Sequence, residues 1–227
     1  MDRTDYFIIA AEPSADAQGK ELIRALKKTH PNCRIIAVAG PKMREEKVPC
    51  LFPMEKLLSM GFIDIIRALP RLTYLFFKLK KALLKLNPRV IICIDYPGFN
   101  LRLQSRLRKA GFKGKLIHYV SPTVWAWSKK RIPLMVQNLD HLLTIFPFEA
   151  ACYQHTTLNV SYVGNPLVHK VTRYPPKMLF EKKCCALFPG SRKTEIERNL
   201  PLQLKAVEAI EEIPSIALSI SHEKHRT

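Results

Sequence analysis

The stretch that decides the fold is residues 90–111, VIICIDYPGFNLRLQSRLRKAG. Its first five residues are all apolar, which is typical of a strand buried on both faces of a parallel sheet. A polar turn begins at Asp95 and leads into a helical pattern over residues 100–110, which Gly111 ends. The stretch therefore predicts a strand followed by a crossover helix.

The same unit recurs along the chain. Further apolar runs of strand length lie at residues 6–11, 34–39, 115–120, 142–146 and 160–163. Helical patterns alternate with these runs, which predicts parallel βαβ units with helices on both faces of the sheet. We predict an α/β fold in which residues 1–170 form one doubly wound, Rossmann-like domain.

A second unit of this kind follows a linker. The adjacent prolines Pro175 and Pro176 break regular structure and predict a linker over residues 171–182. After it an apolar run at residues 184–188 ends at a Pro-Gly turn, and a helical pattern follows. Residues 183–227 are predicted to be the first βα unit or units of a second Rossmann-like domain, which is incomplete within this sequence.

The composition of the 227-residue chain narrows the function classes. A net charge of +18 predicts attraction to an anionic partner, with a merely solvated basic surface as the alternative. We expect no nucleic-acid binding, because no recognisable motif accompanies the charge. The six cysteines form no Cys-x-x-Cys pair, so we expect reduced thiols in a cytoplasmic protein. The N-terminal sequence predicts no signal peptide, and no run of about 18 apolar residues predicts a membrane span.

Residues 57–86, LLSMGFIDIIRALPRLTYLFFKLKKALLKL, combine bulky apolar residues with six basic residues and one acid. A basic amphipathic element of this kind lies on anionic bilayers. The alternative is a helix packed on the sheet with its basic side chains in water, and Pro70 predicts a break in the helix. The candidate membrane-associating residues are Met60, Phe62, Ile65, Ile66, Leu69, Leu72, Leu75 and Phe76.

Ligands of open α/β sheets bind outside the carboxyl ends of the strands, so the residues that follow each strand are site candidates. Asp95 directly ends an apolar strand, where partial burial raises the pKa of a carboxyl group and makes it a candidate general base. A cap of the following turn is the alternative. Asn100 is expected to cap the next helix and is also a candidate for ligand contact.

The loop after the first predicted strand carries Glu12, Ser14 and Asp16. It lacks the Gly-x-Gly-x-x-Gly pattern, so we expect no NAD there. Ser14 or Asp16 is well placed to cap the following helix, and capping is the favoured role for Asp16. The Glu12 carboxylate is expected to face the crevice.

The loop after residues 115–120 contains Ser121 and both tryptophans of the chain, Trp125 and Trp127. Aromatic faces stack on sugars and pack against acyl chains, and a hydrophobic loop core is the equally weighted alternative. His118, inside the preceding strand, is expected to have a structural role.

The turn at residues 187–192, LFPGSR, precedes the last predicted helix. Free backbone N–H groups, the Ser191 hydroxyl and the Arg192 guanidinium would hold a phosphate there, together with Gly190. Pairing of Arg192 with Glu195 or Glu197 along the helix is the alternative. No Asp-x-Asp pair is present to hold a divalent ion on a diphosphate, so we expect no metal and no cofactor.

Taken in order, these motifs resemble those of the lipid-A-disaccharide synthases, a family of inverting glycosyltransferases with the two-domain GT-B architecture. The matching stretches lie at residues 12–16, 39–43, 60–62, 94–100, 118–127, 146–149, 164–167 and 187–192.

The resemblance implies a metal-independent reaction on the cytoplasmic face of the inner membrane. UDP-2,3-diacylglucosamine and 2,3-diacylglucosamine 1-phosphate would give the β-1,6-linked disaccharide 1-phosphate and UDP. By this resemblance Asp95 is the general base, and Gly190, Ser191 and Arg192 hold the UDP diphosphate. The loops at residues 12–16 and 121–127 would line the cleft. An anionic membrane surface is the expected partner, and a homo-oligomer stays open.

The chain also departs from the family pattern. Ala11 and Ala15 replace glycines, Gly98 stands where an aspartate is common, and Asn165 stands where a histidine is common. Little of the second domain lies within the sequence, so we expect weak or no activity from this chain alone. A non-catalytic remnant that binds anionic membranes is the alternative function.

Overall fold

A computed structural model describes residues 4–57, 62–173, 184–190, 193–210 and 215–219 of the chain. The chain divides into two compact units, Met1–Lys170 and Val171–Thr227. None of the helices in the described ranges is both long and apolar enough to cross a bilayer.

The first unit alternates strands with helices. Its strands are β1 (Tyr6–Ala10), β2 (Ile35–Ala39), β3 (Cys50–Pro53), β4 (Val90–Ile94), β5 (Lys115–Tyr119), β6 (His141–Thr144) and β7 (Val160–Tyr162). Its helices are α1 (Pro13–Thr29), α2 (Pro41–Arg44), α3 (Phe62–Leu86), α4 (Pro97–Lys109) and α5 (Arg131–Asn138), and α6 (Pro166–Arg173) spans the boundary with the second unit. Short 3₁₀ turns lie at Met54–Lys56 and Pro147–Tyr153.

The seven strands form one parallel sheet in the order β3-β2-β1-β4-β5-β6-β7. The α/β prediction is confirmed, and every strand predicted for this unit is present. The prediction missed β3, a four-residue strand at the sheet edge that ends in a proline. The strand order reverses between β1 and β4, which makes a crevice at their carboxyl ends.

The core has two layers because successive side chains of a strand point to opposite faces of the sheet. Phe7 and Ile9 of β1 are buried in the layer beneath α3, α4 and α5. Ile8 and Ala10 are buried in the layer beneath α1 and α2. Burial on both faces explains why the central strands are continuous apolar runs rather than alternating ones.

The long helix α3 differs from the prediction at Pro70, where the helix continues without a break. A proline inside a helix costs about 3 kcal/mol. Leu75, Leu79 and Leu83 follow it at four-residue intervals and are almost fully buried against the sheet. Burial of each leucine contributes roughly 1.5–3 kcal/mol, which is enough to offset the cost of the proline.

The same burial corrects the proposed membrane-associating set. Leu75 is only 6% exposed and belongs to the core, so it does not face a membrane in the folded chain. Leu72 and Phe76 are partly buried against that core, while Leu69 is 50% exposed. Met60 and the side chains of Phe62, Ile65 and Ile66 lie outside the described residues.

The second unit contains β8 (Cys185–Leu187), α7 (Lys193–Glu208) and β9 (Ile216–Leu218). The strands β8 and β9 are parallel, with Cys185 opposite Ile216. A strand, a helix and a second parallel strand agree with the Rossmann-like unit predicted from residue 183 onward.

Candidate active site

The carboxyl ends of β1 and β4 are level, because Ala10 pairs with Ile94 in the sheet register. Glu12 and Asp95, which follow these strands, therefore both lie at the carboxyl ends of the strands, beside the crevice. Burial raises the pKa of the Tyr96 phenol, and the negative charge of Glu12 raises it further. The Glu12 carboxylate thus acts electrostatically on the turn that follows β4.

The Asp95 turn has a strained backbone. Asp95 and Tyr96 are consecutive non-glycine residues in the left-handed region, with φ of 51° and 48°. Such residues cost about 1–3 kcal/mol each and cluster at functional sites. The Asp95 N–H donates to the carbonyl oxygen of Tyr119 across 2.8 Å, which ties the turn to β5.

The Asp95 carboxyl group is partly buried, and its burial raises its pKa above the usual aspartate value. A hydrogen bond from the backbone N–H of Tyr96 opposes this shift and is the smaller effect. A carboxylate that binds a proton more readily than usual is a better general base.

Asn100 does not cap α4, contrary to the sequence prediction. The helix begins at Pro97, with Tyr96 in the N-cap position, because proline is favourable at the first helical position. Asn100 is fully buried, and its Nδ2 donates to the carbonyl oxygen of Asp95 across 2.7 Å. Asn100 therefore fixes the backbone of the Asp95 turn.

Asp16 has a structural role different from the predicted cap. It lies inside α1 and is 1% exposed, so its side chain does not line an open cleft. Its carboxylate accepts hydrogen bonds from the N–H groups of Gly40, Lys42 and Met43 at 2.9, 2.9 and 3.0 Å. Asp16 thereby fixes the loop after β2, while Ser14 is exposed near the start of α1.

The loop after β5 begins with Val120, whose φ of 73° is unusual for a β-branched residue. Ser121 is buried, and its hydroxyl lies 2.8 Å from the Tyr153 hydroxyl. Ser121 therefore anchors the loop rather than facing solvent. Of the strands β1, β4 and β5, whose carboxyl ends lie nearest the crevice, β4 and β5 are followed by residues with a strained backbone.

Trp125 is 46% exposed and packs edge-on against Phe148, with ring centroids 5.3 Å apart. Phe148 stacks on Phe146, and the Arg131 guanidinium lies 4.9 Å from the ring centroid of Trp127. The loops after β5 and β6 therefore present an exposed aromatic surface near the carboxyl edge of the sheet. The sequence analysis gave the tryptophans a site role but gave none to Phe148, which lies 23 residues from Trp125 in the chain.

His118 has the expected structural role. It is fully buried, its Nδ1 lies 3.3 Å from Oε1 of Gln104, and burial lowers its pKa to about 3. Asn165, where the family commonly has histidine, accepts a hydrogen bond from the Leu167 N–H across 3.0 Å. This bond caps α6, a role for which asparagine is well suited.

In the second unit, Gly190 has a φ of 118°, which favours glycine. A side chain there would contact Cβ of Glu195 at 2.7 Å. The turn is attached to α7, because Asn199 Nδ2 donates to the carbonyl oxygen of Pro189 across 3.0 Å. Ser191 and Arg192 lie outside the described residues.

Within the described ranges, no group of three or more histidine, cysteine, aspartate or glutamate side chains could hold a metal ion. Sequence reasoning missed the left-handed residues Tyr96 and Val120. Neither is a glycine or an asparagine, so the residue type carried no signal of the strain.

A doubly wound parallel sheet with a carboxylate at its switch point defines the class of protein as Rossmann-like. The family model described as lipid-A-disaccharide synthetase matches residues 6–227, and the chain belongs to that family.

Several lipid-A-disaccharide synthases are similar to it. The protein from Chlamydia pneumoniae is 40% identical over 210 residues, and that from Chlamydia trachomatis serovar D is 38% identical over 211 residues. Each match covers 89% of this chain and 35% of the relative. The protein from Thiobacillus denitrificans is 37% identical over 206 residues, covering 88% of this chain and 55% of the relative. The chain thus spans only about a third to a half of the length of these relatives.

Proposed function

We propose that this chain is the acceptor-side part of a glycosyltransferase of lipid A biosynthesis. It would help transfer diacylglucosamine from UDP-2,3-diacylglucosamine to the 6-hydroxyl of 2,3-diacylglucosamine 1-phosphate. The observation that carries the proposal is the position of Asp95. This carboxylate of raised pKa lies at the sheet's switch point, in a chain that belongs to the lipid-A-disaccharide synthetase family.

In the proposed reaction the oxygen of the acceptor 6-hydroxyl attacks C1 of the donor sugar, and the Asp95 carboxylate takes the proton from that hydroxyl. The new C–O bond forms on the face opposite to the UDP oxygen, the C1–O bond to UDP breaks, and the configuration at C1 inverts. The resulting β-1,6 linkage needs the base on the acceptor side only. Asn100 and the Tyr119 carbonyl hold the Asp95 turn in place for this step.

The leaving UDP carries the developing negative charge. We assign its diphosphate to Gly190, Ser191 and Arg192, which directly precede α7 in the sequence. Backbone N–H groups at a helix N-terminus and a guanidinium stabilise phosphate oxygens without a metal ion. The left-handed conformation of Gly190 supports a close approach of the backbone to the phosphates.

The cleft residues divide into two groups. Glu12, Ser14 and Trp125 have exposed or partly exposed side chains and are proposed to contact the acceptor sugar. Ser121 is buried and anchors the loop that carries Trp125, whereas Asp16 is buried and fixes the loop after β2.

We further propose that the domain associates with the cytoplasmic face of the inner membrane through α3. Leu69 and Phe77 are at least half exposed, and Lys78 and Lys81 are exposed on the same helix. Exposed apolar side chains next to basic ones favour the surface of an anionic bilayer. The acylated substrates would reach the site from that bilayer.

A transfer assay tests the proposal. The 227-residue chain is incubated with both acylated substrates, and UDP and disaccharide are measured together. A chimera of the chain with the part of the Thiobacillus denitrificans relative that it does not cover is assayed in parallel. We expect equal amounts of disaccharide and UDP from the chimera, weak or no turnover from the chain alone, and loss of the product on Asp95→Ala.

Two results would contradict the proposal. One is undiminished transfer by the Asp95→Ala chimera. The other is absence of product from both forms while the Thiobacillus denitrificans protein is active in the same assay. If the chain then still sediments with anionic vesicles, it is a non-catalytic membrane-binding protein.

A further inference from the structure

A groove of about 650 Å³ lies between α3 and α4. Its walls are mostly apolar, and six of the side chains that form them are Leu69, Leu72, Phe76, Phe77, Phe99 and Leu134. The volume is within the range of about 300–1,000 Å³ that is usual for small-molecule sites. Phe77 is 53% exposed at the rim, whereas Leu72 and Phe76 are partly buried.

One end of the groove adjoins the candidate catalytic turn. Tyr96, which follows Asp95 directly, lines this end together with Gly98. The Tyr96 ring stacks on Phe99 at 6.0 Å, and Phe99 meets Phe76 edge-on at 5.4 Å. The groove therefore leads from the Asp95 turn along α4, and it covers about 12 Å of helix axis between Gly98 and Arg106.

The α4 wall of the groove is basic. Arg102 and Arg106 lie four residues apart and both line it, with Ser105 beside them. Like charges at this spacing on a helix repel each other. Within the described part of the chain, no carboxylate forms a salt bridge with either arginine. An anion bound between them would relieve the repulsion.

We propose that this groove binds the acceptor through one acyl chain and its phosphate. The chain lies against the apolar wall of α3, and the phosphate contacts Arg102 and Arg106. This assignment rests on the proposed function and names the acceptor site within it.

The connectivity of the acceptor fits the groove. Its phosphate on C1 and the amide-linked acyl chain on C2 are neighbours on the sugar ring. C2 lies across the ring from C5, which carries the reactive 6-hydroxymethyl group. A sugar whose 6-hydroxyl faces Asp95 therefore directs its chain and its phosphate away from the base. The groove and its arginines extend in that direction along α4.

Binding can be measured without the reaction. The probe is 2,3-diacylglucosamine 1-phosphate with chains short enough to stay monomeric, titrated calorimetrically into the 227-residue chain in the absence of vesicles. Glucosamine 1-phosphate, which lacks the chains, is the second probe. We expect the acylated probe to bind at least roughly tenfold more tightly, because it adds apolar contacts to the same phosphate contacts.

Gly98 allows the groove to be filled without disturbing the fold, because an added Cβ meets no atom within 4 Å. Gly98→Leu should abolish the preference for the acylated probe, whereas Gly98→Ala should keep it. Phe77→Ser should lower the affinity for the acylated probe, whereas Tyr74→Ser should leave that affinity unchanged. Tyr74 is 64% exposed on the same helix but does not line the groove, so it is a matched control.

The charge contribution is tested separately. The double variant Arg102→Gln with Arg106→Gln should lower the affinity for both phosphorylated probes roughly tenfold or more. Lys109→Gln, on the same helix but outside the groove, should leave both affinities unchanged.

Tight binding of the acylated probe that is unaffected by Gly98→Leu and Phe77→Ser would overturn the groove assignment while the proposed function stands. Absence of probe binding by the wild-type chain would overturn the groove assignment, and the transfer assay of the chimera would then decide separately whether the proposed function stands. Loss of binding to anionic vesicles in these variants, with unchanged affinity for the monomeric probe, would make the groove a membrane contact and refute the acceptor assignment.

Discussion

The side-chain amide of Asn100 donates a hydrogen bond to the backbone carbonyl oxygen of Asp95 across 2.7 Å. This bond joins the first turn of α4 to a turn whose two central residues, Asp95 and Tyr96, are both left-handed. We propose that this buried polar contact fixes the strained backbone turn that carries the candidate base.

Asn100→Ala should therefore slow transfer more than it weakens substrate binding. Removal of one partner of a buried hydrogen bond costs about 1–3 kcal/mol. We expect kcat to fall roughly 10- to 100-fold with KM little changed, because the base is displaced while the binding surfaces remain. Steady-state kinetics of the active chimera measure both parameters.

Asn138→Ala is the matched control. Asn138 is also a buried asparagine, and its Nδ2 donates to the carbonyl oxygen of Leu134 across 2.6 Å. It ends α5 just before β6 begins, so it lies near the amino ends of the strands, away from the crevice at their carboxyl ends. This variant should lose stability but keep kcat, and equal losses of kcat in the two variants would refute a positioning role for Asn100.

The raised pKa of Asp95 has a consequence for stability. Burial penalises the charged carboxylate in the folded state, so ionisation of Asp95 destabilises the fold as pH rises through the usual aspartate range. Asp95→Asn should therefore increase the free energy of unfolding at pH 7 while abolishing transfer. Denaturant unfolding at pH 7 and at pH 3 measures the effect.

The gain should shrink at the lower pH, because the wild-type carboxyl group is then largely neutral in both states. The acid limb of the transfer rate should correspondingly lie above the usual aspartate pKa of about 3.9. Lower stability of Asp95→Asn at pH 7 would contradict the burial of this charge.

Gly40 allows the backbone after β2 to approach Asp16. A Cβ at this position would meet the Asp16 carboxyl group and would lie 2.6 Å from Sδ of Met54. Gly40→Ala should therefore destabilise the chain by about 1–3 kcal/mol through overpacking. Gly98→Ala is the control, and it should leave stability unchanged or raise it by up to about 1 kcal/mol, because that glycine lies in a helix with open space around it. Thermal and denaturant unfolding of both variants decide the comparison.

His118 should make the fold sensitive to acid. Its pKa is lowered to about 3 in the folded state by burial, from an ordinary value of 6.5. Between these values the unfolded state binds a proton that the folded state does not, so stability falls as pH falls. The slope from this residue approaches about 1.4 kcal/mol per pH unit.

His118→Asn should remove most of this slope between pH 6 and pH 4, even if it lowers stability at neutral pH. Unfolding free energies measured across this pH range test the assignment, and an unchanged slope in His118→Asn would refute it.

Leu75 and Leu69 distinguish the two faces of α3. Leu75→Ala should cost about 2–5 kcal/mol of unfolding free energy, because it empties a core position. Leu69→Ala should cost little stability and should weaken sedimentation with anionic vesicles. Vesicle binding that depends on Leu75 but not on Leu69, in folded variants, would reverse our assignment of the faces.

Much of the fold could be predicted from local patterns. Every strand of the large sheet except β3 was predicted, because burial on both faces leaves a continuous apolar run in the sequence. β3 was missed because four residues at a sheet edge carry little periodicity. Asn100 and Asp16 were predicted to cap the helices in which they lie. Instead, Asn100 donates to the carbonyl oxygen of Asp95, and Asp16 accepts from N–H groups of the loop after β2. Residue type predicted hydrogen bonding to backbone but could not identify the partner.

By itself the sequence determined that the chain is a parallel α/β protein and that Asp95 ends one of its strands, because strand periodicity and strand-end polarity are local properties of the chain. Only the tertiary structure decided that β1 pairs with β4, which brings level the strand ends that Glu12 and Asp95 follow. It also decided that Leu75 is core and that a groove leads from Tyr96 along α4. These relationships join residues that are distant in the chain. They depend on the strand order and on which helix face packs against the sheet, and neither can be deduced from the local pattern alone.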